Sequence, residues 1–223
     1  MRSSKEFPRF YGRRKGRKLS KSGILALKEG SKYILEYDKF SEIFLNFKDK
    51  IILEIGFGDG KNLINSAKQN PDTFYIGADP FLNTTVKCLK QILENNLNNI
   101  KIWPDDIRKI IEFFPSKSIS EVKLLFPDPW PKLKHQNRRL VQTDFLNSIY
   151  KILKIKGTIT IGTDHTILKS WILEVFQANS KFDWQVEDSK DWRTRPKECF
   201  ATKYQEKPLR EKRKPNWFIF SKK

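Results

Sequence analysis

A set of carboxylates carries the first chemical signal in this 223-residue sequence: Glu54, Asp79, Asp105, Asp106, Asp128 and Asp164. Each closes or closely follows a short run rich in β-branched and aromatic residues: IILEI (51–55), TFYIGAD (73–79), NIKIW (99–103), EVKLLF (121–126) and GTITIGTD (157–164). Such runs read as strands, and the ligands of an open α/β sheet gather at the carboxyl ends of its strands. Taken singly, each acid is explained as a loop acid or a helix cap, Asp105 in particular. Delivery of acids by five successive strands to one rim is a pattern that single caps do not explain. Carboxylates accept hydrogen bonds from ribose hydroxyls, amino groups and ammonium ions, and they repel phosphate.

Such a rim suits a nucleoside cofactor that is cationic and lacks a pyrophosphate. S-adenosylmethionine, with its sulfonium, α-ammonium and ribose diol, has that chemistry. The glycines agree. LEIGFGDGKN places Gly56, Gly58 and Gly60 at alternate positions straight after the first strand, where glycine permits a tight turn and close approach of a ligand to a helix N-terminus. A dinucleotide fingerprint would need glycine at 61, where Lys61 stands, and this weakens a dehydrogenase reading.

The stretch LLFPDPWPKLKHQNRR (124–139) combines the two kinds of surface. Pro127, Pro129 and Pro131 lock φ and exclude helix, so Asp128 sits in a stiff hook that ends the fourth strand. Lys132, Lys134, Arg138 and Arg139 follow and are positioned to contact phosphates flanking a target base. Trp130 is open to two readings, stacking on a base or packing beneath the loop. The histidines, His135 and His165, read as loop hydrogen-bonders rather than as an acid or a base.

The elements that position these residues follow from periodicity. Helical spacing is predicted over 33–47, 61–69, 83–96, 105–114, 140–154 and from Thr166 through ILKSWILEVFQA. Alternation with the strands implies βαβ units, hence a mainly parallel sheet with helices on both faces. DWQVED (183–188) and NWFIFSK (216–222) complete seven strands, the last antiparallel. One domain over 31–223 is expected, preceded by a basic arm over 1–30 for which both a disordered and an ordered state are open. Net charge is +18, and it is concentrated: +8 in 1–21, +4 in 132–140 and +8 in 190–223, leaving the remainder near neutral. This localisation points to a polyanion surface. Cys88 and Cys199 show no disulfide or zinc spacing, and no metal is expected. No apolar run approaches the roughly 18 residues of a membrane span. A soluble cytoplasmic protein, monomer or homodimer, is the expectation.

The combination EIGFGDG, YIGAD, FPDPWPKLKHQNRR, GTDH and RPKECFATKYQ…NWFIF resembles the bacterial tRNA (guanine-N7)-methyltransferases, from about residue 50 to the C-terminus and more weakly over 8–24. The resemblance implies a class I, Rossmann-like fold and methyl transfer from S-adenosylmethionine to N7 of a tRNA guanosine, the variable-loop guanosine at position 46. By position it implies cofactor binding by Glu54, Asp79 and Asp106, alongside the glycines Gly56, Gly58 and Gly60. Asp128 is implied at both the cofactor and the reacting centre. Substrate contact is implied for Lys132, Asp164 and the segment Thr202, Lys203, Tyr204 and Gln205. Two departures stand out: Gln205 where the family usually has glutamate, and Asp79 where it usually has glutamate. The alternatives are methylation of another RNA base and a non-catalytic RNA-binding module.

Overall fold

The computed structural model describes residues 9–36, 40–46, 50–200 and 213–223. In chain order the elements are α1 (Lys21–Glu29), α2 (Phe40–Asn46), β1 (Ile51–Ile55), α3 (Lys61–Gln69), β2 (Phe74–Ala78), α4 (Leu82–Glu94), β3 (Ile100–Trp103), β4 (Ile119–Leu125), α5 (Thr143–Ile152), β5 (Leu153–Thr163), α6 (Thr166–Gln177), β6 (Phe182–Trp184) and β7 (Asn216–Lys222). The strands form one seven-stranded sheet in the order β3-β2-β1-β4-β5-β7-β6. β1 to β5 pair in parallel, while β7 runs antiparallel to both β5 and β6. The fold expected from the alternating pattern is the fold observed.

The two-residue period of each strand divides the core between the two faces of the sheet. Ile51, Leu53 and Ile55 of β1 join Val122 and Leu124 of β4 and Ile159 and Ile161 of β5 beneath α2, α5 and α6. The opposite face presents Ile52, Tyr75, Ile100 and Ile102 to Leu63, Ile64 and Ala67 of α3 and Leu89 and Ile92 of α4. Gly77 permits this packing, since a Cβ there would lie 2.4 Å from a Leu63 methyl. α1 is capped by Ser20, whose hydroxyl accepts from the Gly23 amide at 3.2 Å, and it lies on α4.

Two predicted helices take other forms. Over 33–47, only Phe40–Asn46 is α-helical among the described residues. Ile34 instead bridges Ile102, and the Leu35 amide donates to the Ile102 carbonyl at 2.8 Å, so the open edge of β3 captures this stretch. Over 105–114 the chain makes two short 3-10 turns, Ile107–Lys109 and Ile111–Phe113. Ile107, Ile110, Ile111 and Phe114 are all buried there. That apolar spacing fits helix and paired turns equally, and Pro115 closes the segment. No helix among the described residues is long and apolar enough to cross a membrane.

Candidate active site

β1 and β4 are neighbours, yet the chain leaves β1 towards β2 and leaves β4 towards β5. A crevice opens at such a reversal, above the carboxyl ends of the two strands. The glycine turn forms one wall. Gly56, Gly58 and Gly60 all take positive φ (74°, 57° and 81°), and the turn ends with Gly60 capping α3. Apart from its chain neighbours, no described residue has an atom within 4 Å of where a Cβ on Gly56 would stand, whereas one on Gly60 would lie 3.1 Å from Cys88 Sγ. The first glycine thus leaves space for a ligand, and the last allows the turn to sit against α4.

Glu54, Asp79, Asp106 and Asp128 meet at this rim in different states. Glu54 is 2% exposed and accepts from Asn62 Nδ2 at 2.7 Å. Burial pushes its carboxyl up to about 7, against the Asn62 bond and the nearby Lys123 charge. Asp79 ties the wall together: it accepts from the Gly58 amide (2.9 Å), the Phe81 amide (2.9 Å) and Thr84 Oγ1 (3.0 Å). A carboxylate has about four lone-pair sites, so room remains for one further donor. Desolvation raises its pKa, with Asp128 contributing in the same direction. Asp106 is buried, and its two oxygens take the Arg108 amide, Nε and Nη2 at 2.6–3.1 Å. Its carboxylate therefore faces Arg108. Asp105 answers Arg14 and Lys109, each at 2.5 Å.

The hook around Asp128 is bracketed by Phe126 (φ 54°) and Trp130 (φ 40°), two non-glycine residues in the left-handed region. The Phe126 amide donates to the Gly162 carbonyl at 2.8 Å, and its ring meets Trp217 edge-on. Arg139 holds the far side. It is 5% exposed, its Nε donates to the Pro129 carbonyl and its Nη2 to the Trp130 carbonyl (both 3.2 Å), and its guanidinium stacks over Trp171. The sequence pattern groups Arg139 with the phosphate-facing cations; in the fold it is the strut of the loop. Asp128 itself is exposed and accepts no hydrogen bond from the described residues, yet the surrounding hook desolvates it enough to raise its pKa.

The turn Leu133–Arg138 leaves Lys132 and Lys134 exposed. Arg138 lies between two rings, 4.6 Å from the Tyr11 centroid and 5.0 Å from that of Trp130. Trp130 also meets Tyr11 and His135 edge-on, so its side chain packs within the protein. Tyr11 belongs to the arm. Arg14 bonds Asp105, the Arg14 carbonyl accepts from the Leu82 amide (2.9 Å), and the Gly16 amide donates to Asn83 Oδ1 (2.7 Å). Residues 9–17 thus lie across the carboxyl ends of β2 and β3 and reach the β4 hook.

Two contributors escape the sequence reading. Asn62 bonds Glu54 with its amide nitrogen and accepts the Phe200 amide on its oxygen at 2.7 Å. Lys123, inside β4 and 2% exposed, donates to the Glu198 carbonyl at 2.7 Å. Together they tie the strand ends to residues 198–200. A lysine within the apolar run EVKLL is the signal that marks such a buried tether. Asp164, just past β5, bonds Arg213 Nε at 2.7 Å. Thr202, Lys203, Tyr204 and Gln205 lie outside the described residues.

The donor set fits a cationic nucleoside cofactor: ionisable carboxylates at three strand ends and an open glycine turn with a helix start behind it. Among the described residues no group of His, Cys, Asp and Glu is arranged to hold a metal.

Comparison with known proteins agrees with this geometry. A protein family described as "Putative methyltransferase" matches residues 48–218. The chain is 38% identical over 216 residues to a tRNA (guanine-N(7)-)-methyltransferase of Hyphomonas neptunium, covering 95% of this chain and 98% of that protein. It is 34% identical over 222 residues to the protein of the same name from Bartonella quintana, covering 96% and 95%. Among solved structures it shares its fold with the 16S rRNA methyltransferase KamB (TM-score 0.58, 13% identity, 84% of this chain and 94% of that one). It also shares it with SMU.1697c, described as "a putative methyltransferase" from Streptococcus mutans and solved in complex with SAH (TM-score 0.52, 14% identity, 85% and 99%). The crevice between β1 and β4, the acids around it and these relatives together place the chain in the tRNA (guanine-N7-)-methyltransferase family.

Proposed function

We propose that this protein methylates N7 of a guanosine in tRNA, with S-adenosylmethionine as donor, and that the acceptor is the guanosine at position 46 of the variable loop. The observation that carries the reading is the position of Asp128: a stiffened carboxylate at the switch-point crevice, directly followed in the chain by exposed Lys132 and Lys134. When bound, S-adenosylmethionine supplies an electrophilic methyl group on a sulfonium.

The residues account for the remaining requirements. Guanine N7 has an exposed lone pair, so no base is needed to deprotonate it, in keeping with a rim built of acids. Positive charge grows on the purine as N7 is alkylated. A fixed carboxylate at that place stabilises it without reorganising, and Asp128 is held for this by Arg139, Pro127 and Pro129. Glu54 and Asp79 hold the cofactor's cationic and ribose portions, Asp79 with its one remaining lone-pair site. Gly56, Gly58 and Gly60 let the backbone approach closely. Lys132 and the segment Thr202–Gln205 contact the substrate, the latter with an amide at Gln205 in place of a carboxylate. Phosphate contacts position the RNA, and the acceptor base is turned out of its stack to reach the rim. The setting is the cytoplasm.

The test is transfer of a tritiated methyl group to tRNA followed by nucleoside analysis. The label is expected in 7-methylguanosine and is expected to vanish when carbon replaces N7 at position 46. Undiminished labelling of that substrate overturns the assignment.

A further inference from the structure

Beside the crevice lies a second concavity, of about 800 Å³, at the carboxyl end of β5. Three chain segments distant in sequence build it. α6 and the two residues before it supply Asp164, His165, Thr166 and Lys169; the stretch after β6 supplies Trp192, Arg193 and Arg195; the approach to β7 supplies Arg213 and Lys214. The fold holds these pieces together by named bonds: the Trp217 amide donates to the Trp192 carbonyl at 2.8 Å, and Arg213 bonds Asp164. Among the described residues the lining holds five cations and one acid, and that acid bonds Arg213.

Like charges gathered in a hollow repel one another, and an anion offsets that repulsion. Two of the cations converge on one indole. The Arg193 guanidinium carbon lies 4.6 Å from the Trp192 centroid, and the Lys169 ammonium 5.7 Å from it. This fixes long side chains that would otherwise sweep through solvent, so part of the entropy of ordering them is lost before a ligand arrives. α6 begins at the same place without a side-chain cap, with the positive end of its dipole towards the hollow. β5 is the immediate neighbour of β4 in the sheet, with Leu125 opposite Gly162, so the hollow opens on the same rim as the Asp128 hook.

We infer that this hollow is a phosphodiester subsite for the tRNA backbone next to the acceptor guanosine, with Lys169 and Arg193 as its principal ligands. The inference rests on tRNA being the substrate. It adds a place where the backbone is gripped, separate from the cofactor crevice and from the Lys132–Lys134 turn.

The test compares full-length protein with Lys169→Ala, Arg193→Ala, Arg193→Lys and the Lys169/Arg193 double alanine variant. Affinity for an unmodified tRNA transcript is measured over a range of KCl concentrations, together with kcat, KM and cofactor affinity. Each alanine replacement is expected to reduce the log–log salt slope by about 1 and the double by about 2. KM for tRNA should rise while kcat and cofactor affinity stay at the wild-type values, and Arg193→Lys should retain the wild-type slope. An unchanged slope and KM in the double variant overturns the inference. A second measurement separates RNA backbone from free phosphate: if inorganic phosphate raises the melting temperature of the wild type but not of the double variant, while the tRNA slopes coincide, the hollow is an ion site and the inference fails. Lys214→Ala, on another segment, gives an independent loss of slope if the double variant does not fold. Because these readings use binding and salt dependence, they stand apart from nucleoside analysis of the wild type, which tests the methylation reading itself.

Discussion

Arg139 Nε donates to the carbonyl oxygen of Pro129 at 3.2 Å, and the same guanidinium reaches the next carbonyl, that of Trp130. A buried cation thus grips the chain immediately after Asp128 and holds Trp130 at a positive φ that a tryptophan does not adopt unaided. Only a planar fork with several donors can bond two successive carbonyls while its face lies on Trp171. The carboxylate proposed to act on the purine is stiffened from both sides, by proline rings within the hook and by this strut across it.

Asp128→Asn keeps the shape of the side chain and removes its charge. Turnover is expected to fall by about 100-fold or more, the scale of losing one preorganised electrostatic group. The affinity for tRNA should change little. Equal losses in kcat and in tRNA binding, measured in parallel, would contradict the role given to Asp128.

Arg138 and Arg139 are adjacent in sequence and should behave differently. Arg139→Ala strips the loop of two charged hydrogen bonds, each on the order of 1.5–3 kcal/mol. It should lower the melting temperature and kcat and leave the salt dependence of tRNA binding as it is. Arg139→Lys should rescue only part of this, since an ammonium lacks the fork. Arg138→Ala removes the cation between Tyr11 and Trp130 and should release the arm, seen as a change in tryptophan fluorescence and faster proteolysis near residue 11.

Glu54 gives a pH signature. Its carboxyl rises from an ordinary 4.5 to about 7 in the folded protein, mainly through burial. Between these values the unfolded chain has lost the proton and the folded chain keeps it, so stability falls as pH rises from 4.5 to 7 and is level above that. The difference is on the order of 3 kcal/mol. Glu54→Gln should abolish that fall and melt higher than the wild type at pH 8 without cofactor. A cation bound beside Glu54 favours the ionised form, so cofactor affinity should increase from pH 6 to 8 in the wild type and stay flat in the variant. Calorimetry across that range decides the matter.

Asp79 and Asp106 look alike in sequence, but the fold engages them differently. Asp79→Asn disturbs the bonds to Gly58, Phe81 and Thr84 and the only acceptor site left for the cofactor, and should weaken cofactor binding by about tenfold or more. Asp106→Asn should have a smaller effect on cofactor affinity, because its carboxylate faces Arg108, and a larger one on melting temperature. The reverse order in titrations of the two variants would show that Arg108 gives way to the cofactor.

Local patterns carry one part of this protein and contacts between distant residues carry the other. The strands were legible because β-branched runs closed by Gly, Asp and Pro admit few alternatives, and the acids at their ends were legible because a parallel sheet directs all of those ends to one rim. The FPDPWPK hook could be read directly, since proline acts on its own residue and the one before it. The segments 33–47 and 105–114 were not legible, because their apolar spacing suits a helix and an edge or paired turns alike, and the free edge of β3 decided the first. Nor does sequence distinguish Arg138 from Arg139, Asp79 from Asp106, or a Trp130 that packs from one that stacks. Those outcomes depend on which partner arrives from elsewhere in the chain: Tyr11 against Trp130, Trp171 beneath Arg139, Phe200 on Asn62. Residue type determined the chemistry available at the rim, and tertiary packing decided which groups are already bonded and which remain open to a substrate.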